Sequence, residues 1–566
     1  MARRSARRRR LGLRFPFVAS LSLLLWGCAG RAADPSQIAA AVEAVGDSAA
    51  PEASQSRGIV QTFGTTQVET VVPSTPLRGA NGLACRDGRV FVASAAGNQV
   101  VEVTSEGRIV PLATPEDLLA PDDLVFAPDG SLLVTAVRSG TLWRRDPSER
   151  WTELGVKLPG ANGVAVSSEG RVFVSQCFYG DGIVEIASLD APEARTIAAD
   201  LGCPNGFFVD ASGALVVPLL EKGTVVRVDP ESGSSRVLAA GLKTPTADEA
   251  DRDGKVLVLE GATGAMVEIS SPREGAPQEK TVAARLAPGL DNLVFCGQSL
   301  LVSNFATGAI DVFKPWPGSP RNLVPGGLVV PRGLLPRTDG LLVTDGIALK
   351  RARGESLEVL FATLLDPVSF PVGLAGSGDR VYVSSPEGGT VYRLDLAARE
   401  VSVVVEGLEW PTSLALTPAG DLVIAETGAG RLLAVSATGE QSDLATGLMS
   451  PVGLAVSEGM IYTAEPTGGR VLALRPDEMP AVVASGLAWP AGIAVDERRR
   501  IIVAETDSGR LLRIGKGGAV KALASGLSFE TREESRPLPI GVAADGEGGI
   551  LVASPVDGSV LRFVAP

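Results

Sequence analysis

One pattern recurs twelve times between about residue 60 and the end of the chain, and it constrains the fold more than any other feature. Each copy begins with P-x-G-[LIV]-A or a close variant, continues through two β-type segments and ends in a valine-rich segment followed by G-L. The copies begin at Ala80, Pro121, Ala161, Pro204, Pro245, Gly289, Pro331, Pro371, Pro411, Pro451, Pro490 and Pro539. The sequence therefore predicts an all-β protein made of twelve four-stranded units.

Four short strands repeated about every 40 residues are typical of the blades of a β-propeller. The chain ends on a third strand, 559–564, that lacks an outer partner, and a strand at 322–324 follows a Pro-rich stretch without a copy of its own. The sixth copy likewise stops at its third strand, and Gln67–Val72 precedes the first copy. We therefore predict two tandem six-bladed β-propellers, at 58–316 and 317–566, each closed by its N-terminal outer strand, which removes an exposed sheet edge.

Composition agrees with this architecture and excludes several functions. The 66 glycines and 39 prolines, with only 5% aromatic residues, favour many short strands and turns, and 566 residues are enough for two domains. The formal charge of -13 makes nucleic acid a poor partner for the folded part. Because the chain has no histidine, Ser-His-Asp catalysis, Cys-His catalysis and histidine metal sites are excluded.

The N-terminal segment 1–28 predicts an exported lipoprotein. Its arginines precede an apolar stretch, Phe15–Trp26, that is too short to span a bilayer and is typical of a signal peptide. The residues before Cys28 resemble a lipobox, so Cys28 is the predicted lipidation site; a signal peptide with an incidental cysteine is the alternative. Ala29 favours the outer membrane of the cell envelope, with membrane contact through the lipid only. Residues 29–57, rich in Ala, Ser, Pro and Gly, predict a flexible tether.

The x of P-x-G repeats around the inner strands, which line the central channel of a propeller. The first half has Asn81, Asp122, Asn162, Asn205, Thr246 and Asp291 at these positions, and the second half has Arg332, Val372, Thr412, Val452, Ala491 and Ile540. The sequence thus predicts a polar first channel and an apolar second channel.

Converging amide and carboxylate oxygens are costly unless they are satisfied, and hard cations prefer such oxygens. We therefore expect Ca²⁺ or another divalent metal in the first channel, held by Asn81, Asp122, Asn162, Asn205 and Asp291. Turn-forming residues around a water-filled channel are the alternative.

The repeats resemble those of the NHL and senescence-marker-protein/gluconolactonase group of propellers over 58–566. That resemblance implies a divalent metal held by a first-blade Glu, an Asn in P-N-G and an Asp in P-D-G. Asn205 matches the Asn motif, and Asn162 lies where a substrate-contacting Asn is expected. The chain departs from the family at two positions, with Asn81 in place of the Glu and Thr246 in place of the Asp. Asp248 and Glu249 follow Thr246 closely.

Two functions stay open. The first is a lipid-anchored module that binds a small molecule, protein or glycan, and the apolar second channel and the departures from the family favour it. The second is a gluconolactonase-like, metal-dependent lactone or ester hydrolase, with Asp122 or Asp291 as general base. Its pocket wall would include Phe178, Tyr179 and Glu221.

Four cysteines remain after Cys28, and an exported protein permits disulfides. Cys177 and Cys203 fall near the same end of neighbouring blades, and this spacing favours a disulfide between them. Cys85 and Cys296 lie at similar turns of the first and sixth blades, which adjoin when the ring closes. Buried free thiols are the alternative for both pairs.

Overall fold

The computed structural model describes residues 61–63, 66–270, 280–362, 370–476, 478–529 and 536–564. The predicted signal peptide, Cys28 and the tether lie outside the described residues. The all-β prediction is confirmed: the described elements are strands, apart from one 3-10 turn at Lys516–Gly518. Among them there is no helix of the length and apolarity that a membrane span requires.

Two strands, β1 (Gln61–Phe63) and β2 (Thr66–Val72), precede the first repeat. The next 24 strands form six antiparallel sheets, numbered 1 to 6, which we name the first ring. They are β3–β6 (Ala80–Arg86, Arg89–Ser94, Gln99–Val103, Ile109–Pro111), β7–β10 (Pro121–Phe126, Leu132–Ala136, Thr141–Arg145, Trp151–Glu153), β11–β14 (Ala161–Val166, Val172–Gln176, Gly182–Ile186, Ala194–Ala199), β15–β18 (Phe208–Val209, Leu215–Leu219, Thr224–Val228, Ser235–Ala240), β19–β22 (Pro245–Ala250, Val256–Glu260, Ala265–Ile269, Lys280–Arg285) and β23–β26 (Leu290–Cys296, Ser299–Asn304, Ile310–Phe313, Pro320–Val324).

The remaining strands form sheets 7 to 12, which we name the second ring. They are β27–β30 (Pro331–Arg337, Gly340–Asp345, Ala348–Arg353, Ser356–Ala362), β31–β34 (Leu374–Ser377, Arg380–Ser385, Thr390–Asp395, Glu400–Val405), β35–β38 (Pro411–Leu416, Leu422–Glu426, Arg431–Val435, Gln441–Ala445), β39–β42 (Gly453–Ser457, Met460–Glu465, Arg470–Leu474, Ala481–Ser485), β43–β46 (Pro490–Val495, Ile501–Glu505, Arg510–Ile514, Val520–Ala524) and β47–β49 (Val542–Ala544, Gly549–Ser554, Ser559–Val564).

The inner strands contact one another in two closed cycles. In the first ring β3, β7, β11, β15, β19 and β23 touch in that order, and β23 returns to β3. In the second ring β27, β31, β35, β39, β43 and β47 do the same, and β47 returns to β27. Each cycle is the arrangement of sheets around one axis that defines a β-propeller.

Apolar residues alternate along the strands and pack between neighbouring sheets. Phe91 and Val100 of sheet 1, for example, pack with Leu132 and Val134 of sheet 2 in one buried cluster. Full burial of such a side chain contributes about 1.5–3 kcal/mol. Since every sheet buries both faces against its neighbours, the rings are held together mainly by these inter-sheet cores.

Each of the two strands predicted to close a ring pairs with the other ring instead. Strand β26, which covers the predicted 322–324, pairs with β25 and completes sheet 6. Strand β2 pairs instead with β49, the last strand of the chain, so the N-terminal segment completes sheet 12. The boundaries 58–316 and 317–566 are therefore wrong at these two segments, and the first ring is inserted into the second.

The physical reasons lie in local packing. Trp316 packs edge-on against Phe313 at a centroid distance of 5.2 Å, and its amide donates to the Gln298 carbonyl, so the Pro-rich stretch folds back on sheet 6 as a turn. Val68 of β2 is buried in the same cluster as Phe563 of β49. An apolar strand pairs wherever it finds an open edge with a complementary face, which no single-strand pattern specifies.

Two disulfides lie in the first ring. Cys85, at the end of β3, is bonded to Cys296, at the end of β23, so this disulfide crosses the junction between sheets 1 and 6. Cys177 is bonded to Cys203 across sheets 3 and 4. Since sheet 6 is complete without the N-terminal strand, the first ring closes by inter-sheet packing and a disulfide, whereas the second closes by a shared sheet.

The two chain crossings between the rings run side by side. The Thr75 amide donates to the Leu328 carbonyl at 3.0 Å, and the Leu328 amide donates to the Pro73 carbonyl at 3.2 Å. Lys350 of the second ring is fully buried and donates to Asp345, which belongs to the same sheet, and to the Ala306 carbonyl of the first ring at 2.6 Å. The rings are thus joined by paired backbone and by the hydrogen bond from buried Lys350 to the Ala306 carbonyl.

Candidate functional site

A β-bulge lies at the channel position of most inner strands of the first ring. In β7 the pairing with β8 passes from Pro121 directly to Leu124, so Asp122 and Asp123 are both released from the ladder. The same shift occurs between Leu290 and Leu293 in β23. A bulge frees two consecutive residues instead of one. In sheets 2 and 6 the bulge therefore brings two polar side chains to the channel, whereas the sequence predicts one.

All six predicted positions of the first channel are buried. Asn81, Asp122, Asn162, Asn205, Thr246 and Asp291 have exposures between 2% and 6%. The Asn81 side-chain amide donates to Asp122 Oδ1 at 2.7 Å. The structure therefore brings one amide and one carboxylate of neighbouring blades into direct contact.

The carboxylates of the channel perturb one another. Burial raises the pKa of Asp122 well above its ordinary value, and the charges of Asp291 and Asp123 raise it further. Burial, followed by the charge of Asp123, raises the pKa of Asp291 to about 8. Within the described chain none of these three carboxylates forms an ion pair with a lysine or arginine. The hydrogen bonds in the channel are therefore not sufficient to keep all three carboxyl groups ionised at neutral pH.

Asp123 and Asn292 bridge the channel immediately beside the six predicted residues. Asn292 Nδ2 donates to Asp123 Oδ1 at 2.9 Å, and the Val164 amide donates to Asp123 Oδ2 at 2.9 Å. The bridge passes over Gly82, where a Cβ would stand 2.6 Å from Asp123 Oδ1. Asp123 therefore connects sheets 2, 3 and 6, while its burial raises its pKa to about 6.

A hydroxyl on the second strand links neighbouring blades behind the channel residues. Ser303 accepts the Asn292 amide at 2.9 Å and donates to the Asn81 carbonyl at 2.6 Å, which joins sheet 6 to sheet 1. Equivalent hydroxyls are Thr135, Ser175, Thr344 and Ser384. Sequence reasoning missed this role, although a Ser or Thr near the end of the second strand was visible in these copies.

Two residues of the predicted ligand set are engaged differently from the others. Asn205 Oδ1 accepts the Gly206 amide at 2.8 Å, so its oxygen is used within its own turn. Thr246 donates to the Leu290 carbonyl at 3.1 Å. This hydrogen bond links sheet 5 to sheet 6, because the second strand of sheet 5 has no Ser or Thr to do so. Asp248 is buried, and neither of its carboxyl oxygens has a hydrogen-bond partner. Burial, with the neighbouring Glu249, raises its pKa.

In the part of the chain that the structure describes, three of the predicted ligand residues have side-chain oxygens with one hydrogen bond or none. Asn162 Oδ1 is buried and has no hydrogen-bond partner. Asp122 receives one hydrogen bond, and Asp291 receives none within the described residues. The described residues contain no group of three or more His, Cys, Asp or Glu side chains arranged to hold a metal. Any cation would therefore depend on amide oxygens together with Asp122 and Asp291.

Part of the rim of the first channel lies against the second ring. Ala96, Ala120, Val137 and Ala306, from the turns of sheets 1, 2 and 6, pack in one cluster with second-ring residues that include Ile347 and Phe370. Phe178 and Tyr179 pack against this cluster, so they belong to the contact between the rings rather than to an open pocket wall. Burial raises the pKa of Glu221, the third predicted wall residue.

The second channel is mostly apolar but contains one charge. Arg332 is only 1% exposed and lines a cavity of about 60 Å³ together with Val372 and Ile540. Apart from this arginine and the hydrogen-bonded Thr412, the predicted positions of the second channel are apolar, as the sequence predicts. Among the predicted channel positions, those of the first ring include carboxylates and those of the second ring do not.

Residues 55–247 match the family described as the SMP-30/Gluconolactonase/LRE-like region. The matched segment covers sheets 1 to 4 and the beginning of sheet 5, and it confirms the resemblance drawn from the repeats. The first ring thus carries an SMP-30/gluconolactonase-like region in a β-propeller-repeat protein. A search of curated proteins finds no match.

Several solved structures resemble the chain at low identity. An enzyme of glycoside hydrolase family GH74 from Niastella koreensis is 12% identical, with 88% of this chain and 93% of that chain covered and a TM-score of 0.48. A catalytically inactive virginiamycin B lyase from Staphylococcus aureus, with quinupristin, is 14% identical over 56% of this chain and 96% of its own, with a TM-score of 0.30. PorZ of Porphyromonas gingivalis, a surface component of the type-IX secretion system, is 11% identical over 88% and 86%, with a TM-score of 0.31. At these scores the likenesses carry no argument about function.

Proposed function

We propose that this protein is an exported, lipid-anchored double six-bladed β-propeller that binds a ligand or partner, with a divalent cation in the channel of its first ring. The ligand is a small molecule, a protein or a glycan, and the cation orients it. Ca²⁺ suits the site because it accepts neutral amide oxygens together with few carboxylates. Asp122, Asp291 and Asn162 would hold the cation.

The observation that supports this proposal is a group of buried carboxylates in the first channel that lack a basic partner. Asp122, Asp123 and Asp291 are buried together, and no basic side chain of the described chain pairs with them. Uncompensated carboxylates in such a place are costly, and a bound cation removes that cost. The contrast within the molecule is direct, since the buried Asp345 of the second ring has Lys350 as its partner.

A gluconolactonase-like hydrolase is the second candidate. It is favoured by the pKa of Asp291, which burial raises to about 8 next to a second perturbed carboxyl. Pairs of carboxyls with separated pKa values often divide acid and base roles. When bound, the cation would supply polarisation of a lactone or ester carbonyl. Asp122 or Asp291 would move the proton.

Metal content and thermal stability of the full chain, with and without chelator, test the proposal. We expect about one equivalent of Ca²⁺, and a melting temperature that falls on chelation because a ligand at 100 times its Kd stabilises by about 2.7 kcal/mol. The Asp291→Asn variant should lose both the metal and the chelator effect. A metal-free protein that is insensitive to chelator would contradict the cation site.

The matched control is Asp248→Asn, which makes the same chemical change at a carboxyl of the same ring that is equally buried. This variant should keep its Ca²⁺ and its response to chelator. Ca²⁺-dependent hydrolysis of a lactone or ester, lost in Asp122→Asn and Asp291→Asn, would establish the second candidate. Metal binding without hydrolysis across such a panel would leave the binding module.

A further inference from the structure

We propose that the cleft between the two rings is a separate binding site for a small amphipathic anion, with an apolar body and a carboxylate, sulfonate or phosphate group. The cleft has a volume of about 820 Å³. Sites for small organic ligands typically measure about 300–1,000 Å³ and often lie between domains. This site is independent of the cation proposed for the first channel.

Both rings contribute to the apolar walls of the cleft. Leu286 and Pro288 come from the end of sheet 5 in the first ring, and Leu360, Phe361 and Leu396 come from sheets 7 and 8 of the second. The second-ring residues pack directly on the buried core between sheets 7 and 8. The wall is therefore a fixed surface with partly exposed apolar side chains, which suits the body of an organic ligand.

Arg351 lines this cleft, and the hydrogen-bond donors of its guanidinium are only partly satisfied. Its side chain is 14% exposed, and its Nε is buried with no hydrogen-bond partner. Its Nη1 lies 3.4 Å from Asp339 and 3.9 Å from Glu358, which are long contacts for an ion pair. A guanidinium that is buried with a spare donor is a preferred partner for a planar or tetrahedral oxyanion.

Three arginines and three carboxylates line the cleft, so the preference for an anion comes from how far each charge is already engaged. Arg285 and Arg399 line it and have no carboxylate within ion-pair distance among the described residues. Asp395 already accepts the amides of Ala397 and Ala398 at 3.1 and 2.9 Å. Glu400 is exposed at the edge of the cleft. Arg285, Arg351 and Arg399 thus keep donors that an anionic group would use, whereas Asp395 is already engaged by backbone amides.

Titration of the full chain with 8-anilinonaphthalene-1-sulfonate, an amphipathic anion, tests this site. Its neutral analogue N-phenyl-1-naphthylamine, which lacks the sulfonate, is the second probe. We expect saturable binding of the sulfonate that weakens about tenfold in Arg351→Gln, as for loss of one charge-assisted contact. Binding of the neutral probe should stay unchanged in that variant and fall in Phe361→Ala.

Arg252→Gln is the matched control, because Arg252 is an exposed first-ring arginine whose side chain, among the described residues, donates only to the Gly297 carbonyl. If Arg351→Gln fails to fold, the exposed Arg399→Gln takes its place, with an expected loss of about threefold. Equal affinity of the sulfonate for these variants and for Arg252→Gln would overturn the proposal. Chelator should leave the titration unchanged, so this outcome is distinguishable from failure of the cation site.

Discussion

Removing the disulfide that crosses the junction of the first ring should cost more stability than removing the other disulfide. The Cys85–Cys296 bond closes a separation of 211 residues, and the chain-entropy treatment of the unfolded state gives about 5 kcal/mol for a loop of that size. The Cys177–Cys203 bond closes only 26 residues, for which the same treatment gives about 3.5 kcal/mol. The double variant Cys85→Ala/Cys296→Ala should therefore lose about 1.5–2 kcal/mol more than Cys177→Ala/Cys203→Ala.

Hydrogen exchange in a urea series, read by mass spectrometry, measures this difference ring by ring. Strands β3 and β23 report the free energy of opening of the first ring, and β27 reports the second ring as an internal control. The loss should be concentrated in β3 and β23, since their junction has no shared sheet to hold it. An equal loss in both variants, or a larger one in Cys177→Ala/Cys203→Ala, would refute this account of ring closure.

Three further predictions follow from buried charge and strand order. With chelator present, stability should fall between about pH 4 and pH 8, because burial raises the pKa of Asp291 to about 8, so it stays protonated when folded but ionises when unfolded. Asp291→Asn should make that slope shallower in urea denaturation, while Asp122, Asp123 and Asp248, whose pKa burial also raises, keep part of it; an unchanged slope would contradict the prediction. Lys350→Met should cost about 3–5 kcal/mol by leaving Asp345 buried without its partner, and Lys350→Met/Asp345→Asn should recover much of the loss in the same assay. Glu69→Cys/Arg562→Cys should form a disulfide between β2 and β49, detected as a cross-linked peptide, whose absence would argue against this pairing.

The repeat predicted the all-β fold because its signals are local. Proline and glycine mark the turns, and alternating apolar residues mark the strands, so the twelve sheets begin close to the twelve predicted positions. Ring closure depends instead on which open edge a distant strand meets. Val68 and Trp316 decide that outcome through contacts with Phe563 and Phe313, and such contacts are invisible in a single copy of the repeat.

The candidate site was predictable in composition but not in detail. The P-x-G position identified Asp122 and Asp291, since the residue at one place in each copy must face the axis. The bulge that also brings Asp123 and Asn292 into the channel depends on strand pairing, and the side-chain pattern does not reveal it. The contact of Phe178 with the second ring depends on how the rings pack, which the repeat leaves unspecified.

Calorimetric titration of the full chain with Ca²⁺ at pH 7, in buffers of different ionisation enthalpy, tests the cation site most directly. Burial raises the pKa of Asp291 to about 8 and that of Asp122 well above its ordinary value, so binding must displace protons from these ligands, and we predict one saturable site with release of about one to two protons per Ca²⁺. Asp291→Asn should abolish both the binding and the release. Absence of saturable binding, or binding of equal strength and without proton release in Asp291→Asn, would contradict the account.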